Sequence, residues 1–172
     1  IASSKGRDGR IRIGTQSWRT YQSSIQATDT NKNVVIPIAV SSLKALYFTF
    51  TYPNAGVRDY ASSFYTRYLT NYQLFVGSVA IPTTPVNCSN FNEPVAELLR
   101  AWHIRLNDAS YSTLLTTCTD RYQQDITLNG FTKSNTIFGV ELESMSNKSN
   151  VIESGANVLN TNVELRMQFG NT

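Results

Sequence analysis

Val34-Val35-Ile36-Pro37-Ile38-Ala39-Val40, followed by Leu46-Tyr47-Phe48-Thr49-Phe50-Thr51-Tyr52, is the stretch that decides the fold. Val34, Ile36, Ile38 and Val40 recur at every second position. Leu46, Phe48, Phe50 and Tyr52 do the same against Tyr47, Thr49 and Thr51, until Pro53-Asn54 breaks the run. A third alternating piece, Tyr72-Gln73-Leu74-Phe75-Val76, turns at Gly77-Ser78 and resumes as Val79-Ala80-Ile81 before Pro82. Alternation of β-branched and aromatic residues with period two marks strands with one face in a core. The class is all-β.

Working outward, Ile11, Ile13, Trp18, Thr20 and Ile25 predict an opening strand system over residues 10–28. The polar cluster Asp29-Thr30-Asn31-Lys32-Asn33 would turn it back onto the Val34 strand. Pro37 within that strand predicts an edge, a bulge or a switch between sheets. Residues 54–70 read as a long loop, and Pro82-Thr83-Thr84-Pro85 as a sharp strand end. One helix is expected from Pro94 to Asn107. Val95, Leu98, Leu99, Trp102 and Leu106 make a single apolar stripe, Asn92 is its N-cap, Glu93 and Glu97 lie towards its positive end, and Arg100 and Arg105 towards its negative end. Further strands are expected at 111–118, 125–128, 136–142, 151–159 (with Gly155 inside) and, most cleanly, 163–169. The pattern predicts a two-sheet antiparallel sandwich of eight strands with one inserted helix. Leu46, Phe48, Phe50, Leu74, Val76, Leu165, Met167 and Phe169 should face its core.

With 172 residues and 41% hydrophobic content, the chain suits one globular domain at 10–172 behind a basic linker at 1–9. Ile1 in place of Met reads as the start of a fragment or a processed product. No apolar run is long enough to predict a membrane span. The net charge of +3 is uneven. Lys5, Arg7, Arg10, Arg12 and Arg19 against Asp8 give the first nineteen residues +4, leaving −1 for the remainder. Interleaved with Gly6 and Gly9, this head reads as a solvated lead-in, whose contact with genome phosphates would be weak and salt-sensitive. Cys88 and Cys118 are read as free thiols. With His103 as the sole histidine they fit no zinc spacing, so no metal and no cofactor are expected.

Chemistry is sparse. His103 falls on the flank of the predicted helix and reads as a half-exposed surface residue, so no nucleophile–base pair and no catalytic residue are predicted. No glycine-rich phosphate cradle occurs. Glu141 and Glu143, two apart, share one face of a strand. Such a pair suits a cation or glycoside hydrolysis, but it more often marks the solvent face of an edge strand. Tyr60, Phe64, Tyr65 and Tyr68 fall in the 54–70 loop and are the candidate subunit-interface residues, tyrosine being enriched at such surfaces.

Four pieces together resemble the second, C-terminal jelly roll of the double jelly-roll major capsid proteins of double-stranded DNA viruses, a group spanning virophages, polinton-like viruses and nucleocytoplasmic large DNA viruses. They are Val40-Ser41-Ser42-Leu43-Lys44-Ala45-Leu46-Tyr47-Phe48-Thr49-Phe50, with its Ser-Leu-Lys step into an aromatic run; residues 71–85, closing in Pro-x-x-Pro; the inserted helix; and Glu153-Ser154-Gly155-Ala156-Asn157-Val158 before the final strand. The family carries two jelly rolls per polypeptide and this chain holds one. The resemblance implies an eight-stranded jelly-roll sandwich and a non-enzymatic subunit. Such subunits form homotrimeric, pseudo-hexameric capsomers of an icosahedral shell, assembled inside the host cell. The implied partners are other copies, the companion jelly roll, neighbouring capsomers and minor or penton proteins. The rival reading is a carbohydrate-binding or hydrolytic jelly roll using Glu141, Glu143 and the loop aromatics.

Overall fold

The computed structural model describes residues 17–26, 28–51, 64–65, 68–89, 92–102, 137–143 and 155–170. Among them, the main sheet has four antiparallel strands in the order β1 (Asn31–Ile36), β8 (Val163–Phe169), β5 (Leu69–Val76), β6 (Val79–Asn87). In β8 the alternation is complete: Val163, Leu165, Met167 and Phe169 are buried, while Glu164, Arg166 and Gln168 point away. The outer face is polar, with Arg166 paired to Glu164 at 3.2 Å and lying 4.0 Å over the Phe75 ring.

Two irregularities tune this sheet. Between Leu69 and Asn71 the β5–β8 register slips, so Leu69 and Tyr72 both face inward although three residues apart. Between Tyr72 and Leu74 the β5–β6 register slips further, for Tyr72 pairs with Val86 and Leu74 with Ile81. The extra residues of β6 include Pro82 and Pro85, which donate no ladder hydrogen bond; among the described strands β6 lies at the sheet's edge, where that is tolerated. The Gln73 amide donates to the carbonyls of Pro82 (2.8 Å) and Thr83 (3.1 Å), so the bulged backbone stays satisfied.

Across the core lie two short antiparallel pairs: β2 (Ala45–Phe48) with β7 (Phe138–Glu141), and β3 (Phe50–Thr51) with β4 (Phe64–Tyr65). Aromatic rings join the layers. Phe48 stacks on Phe138 at 5.0 Å and meets Tyr72 edge-on at 5.0 Å, and Phe50 meets Phe138 and Phe169 edge-on. Each such pair is worth about 0.5–1.5 kcal/mol beyond its burial. Tyr72, fully buried, donates its hydroxyl to the Gly139 carbonyl at 3.1 Å, tying the four-stranded sheet to β7.

On β7 sits α1 (Asn92–Ala101). Its buried Val95, Leu98 and Leu99 realise the expected stripe. The approach is close because position 139 is glycine: an added Cβ would lie 3.1 Å from Leu98 Cδ1 and 3.1 Å from Ala101 Cβ. The Glu93 carboxylate, in the first turn, accepts from the Asn87 N–H at 2.8 Å, anchoring the helix to the end of β6.

Several expectations are corrected. Residues 17–26 form no strand, and the Val34 strand pairs with β8 rather than with them. That strand starts at Asn31, inside the expected turn, because β8 supplies partners from Gln168 onward; it ends at Ile36, before Pro37. Its place at the edge of the sheet among the described strands agrees with the proline. Pro82–Pro85 does not end the hairpin strand, which runs on to Asn87. The stretch 54–70 is not one loop, since Phe64–Tyr65 is a strand and β5 begins at Leu69. Phe50 provides the strand against which these β-favouring aromatics pair. Asn92 is the first helical residue rather than the cap before it. Of the expected core, Phe50, Leu74, Leu165, Met167 and Phe169 are buried, while Leu46, Phe48 and Val76 are half-buried against it. The expected strands at 111–118 and 125–128, the basic linker, the helix tail with Leu106, and His103 and Cys118 lie outside the described residues.

Candidate functional site

Two of the four stretches quoted for the resemblance, at 40–44 and 155–158, meet in space. Leu43 and Ala156 exchange backbone hydrogen bonds, Leu43 N–H to Ala156 O at 2.8 Å and Ala156 N–H to Leu43 O at 2.9 Å. Gly155 N–H donates to Ser42 Oγ at 3.0 Å, and Val158 N–H to Val40 O at 2.9 Å. Here Gly155 is a bridge residue's neighbour rather than part of the strand expected at 151–159.

Directly beyond this junction, Lys44 accepts through its carbonyl from the Leu142 N–H at 2.8 Å, and its ammonium reaches Glu143 Oε1 at 2.9 Å. The Glu143 side chain is only 5% exposed. It lies past the end of β7, so the expected solvent-facing strand pair becomes one strand carboxylate, Glu141, and one buried carboxylate committed to a lysine. Glu141 stands on β7 opposite Ala45. Its charge adds to the burial that raises the Tyr47 hydroxyl above the usual phenol range, burial being the larger cause. That hydroxyl donates to the Ala101 carbonyl at the end of α1.

Of the four interface candidates, Tyr60 lies outside the described residues. The Phe64 and Tyr65 backbones sit in β4, paired with Thr51 and Phe50, and their side chains lie outside the description. Tyr68 is 49% exposed at the turn before β5. Its φ of 54° is left-handed, unusual for an aromatic residue, and its carbonyl is held by the Gly170 N–H at 2.8 Å.

A surface the alternation pattern misassigned lies on the far side of β2. Trp18, expected in a strand, is instead 77% exposed on an irregular segment, its ring 5.5 Å from Tyr47, which in turn lies 6.5 Å from Trp102. Six of the eight residues from Ser17 to Ser24 are polar, which was the sequence signal against a half-buried strand there. Cys88 is a free, half-buried thiol; burial, helped by the Glu93 charge, pushes it up to about 12.

Among the described residues no group of three or more His, Cys, Asp or Glu side chains is placed to hold a metal, and no helix is long and apolar enough to cross a membrane. No protein-family model matches the chain, and no curated protein or solved structure matches it either.

Proposed function

We propose that this chain is a structural capsid subunit, an eight-stranded jelly roll with one inserted helix that self-associates into trimeric, pseudo-hexameric capsomers of an icosahedral shell. The observation that carries the reading is nested pairing. Among the described strands the first pairs with the last (β1 with β8), and the second with the next to last (β2 with β7), both antiparallel. An antiparallel ribbon rolled up from its two ends gives this order, which is the logic of a jelly roll. The junction of Ser42-Leu43-Lys44 with Gly155-Ala156 adds support, because it brings two of the resembling motifs into one unit. The β5–β6 hairpin is a departure, since it keeps two consecutive strands in the same sheet.

In this role the fold is a rigid block and its function is its surface. Size-exclusion chromatography with light scattering on the chain, followed by electron microscopy of the oligomeric fraction, tests it. A threefold particle of pseudo-hexagonal outline is the expected result. A monomer at every concentration that retains oligosaccharide on a glycan array would instead establish the carbohydrate-binding rival.

A further inference from the structure

We draw no further inference here: the strongest candidate, the aromatic surface patch of Trp18, Tyr47 and Trp102 on the far side of β2, carries nothing because nothing in the structure shows what covers it.

Discussion

A β-carbon at position 155 would lie 2.2 Å from the Leu43 carbonyl oxygen, 2.4 Å from the Leu43 carbonyl carbon and 2.8 Å from the Lys44 nitrogen. All three atoms are backbone, and the Leu43 carbonyl is already engaged by Ala156 N–H. Nothing there gives way without breaking the junction between the Ser-Leu-Lys step and the Ser-Gly-x-Asn stretch. Gly155→Ala should therefore lower stability by about 3 kcal/mol, at the upper end for overpacking, as read by urea denaturation. At Gly139 the nearest atoms are Ala101 Cβ and Leu98 Cδ1 at 3.1 Å and Leu98 Cα at 3.2 Å, so α1 need yield only slightly and Gly139→Ala should cost less, about 1–2 kcal/mol. Equal costs at the two sites would mean that the 155–158 segment is not fixed on β2's approach.

The helix gives an ordered pair of substitutions. Leu98 is 2% exposed against Gly139, and truncation to Ala should cost about 2–5 kcal/mol. Trp102 is only half-buried, packed beside Tyr47, so Trp102→Ala should cost less, about 1–2 kcal/mol. Thermal melts of the two variants settle the order. A larger loss at Trp102 would place the helix differently on β7.

Much of the fold was legible in the sequence because burial on one side imposes period two. The alternation at 163–169, Leu74 in the 72–76 run and the Val95, Leu98 and Leu99 part of the α1 stripe became core as they predicted, while Val76 and Trp102 are half-buried against it. Partner choice was not legible. Nothing in Val34–Ile36 announces that its neighbour is β8, over a hundred residues away, rather than the preceding polar segment. Bulges were hidden for a related reason: the shift that turns both Leu69 and Tyr72 inward is a property of the pairing, not of either strand. The prolines at 82 and 85 misled because an edge strand tolerates the missing donors that a central strand would not. At the site, Glu141 and Glu143 looked equivalent by spacing. Only the fold separates them, by bringing Lys44 from β2's approach onto one.

That ion pair makes the third prediction. Lys44→Met removes the ammonium that meets the Glu143 carboxylate, whose side chain is 5% exposed, and should cost about 1–3 kcal/mol at neutral pH. Lys44→Met/Glu143→Gln should recover part of that, because the carboxylate that lost the lysine is removed with it. Denaturation of both variants and of Glu143→Gln alone closes the cycle. Additive losses would show that the 2.9 Å contact carries no coupling.

Cys88 supplies a pH test. Its thiol is pushed up to about 12, first by burial and then by Glu93, so the folded protein holds the neutral form where an unfolded chain is already thiolate. Alkylation by iodoacetamide should be slow at pH 8 and climb with pH until the thiol titrates, since only the thiolate attacks. The linkage has a fixed sign: the stability this thiol contributes is complete below the unfolded value and is lost as pH rises towards 12. In Cys88→Ala that alkaline loss should be smaller. Rapid labelling of native protein at pH 8 would contradict the burial.

Tyr68 separates an interface role from a structural one. A left-handed φ of 54° costs a tyrosine roughly 1 kcal/mol that glycine does not incur, while its 49% exposure leaves little packing within the subunit to lose. Tyr68→Gly should therefore leave subunit stability within about 1 kcal/mol of the parent, with the Gly170 N–H still bonded to the residue 68 carbonyl. If the ring lies against a neighbouring copy, the same substitution should weaken association by about 1–3 kcal/mol, as loss of an aromatic anchor does. Sedimentation velocity across a concentration series reads the association, and a urea melt of the dilute monomer reads the fold. An unchanged association constant in a normally folded Tyr68→Gly protein would rule Tyr68 out as an interface residue.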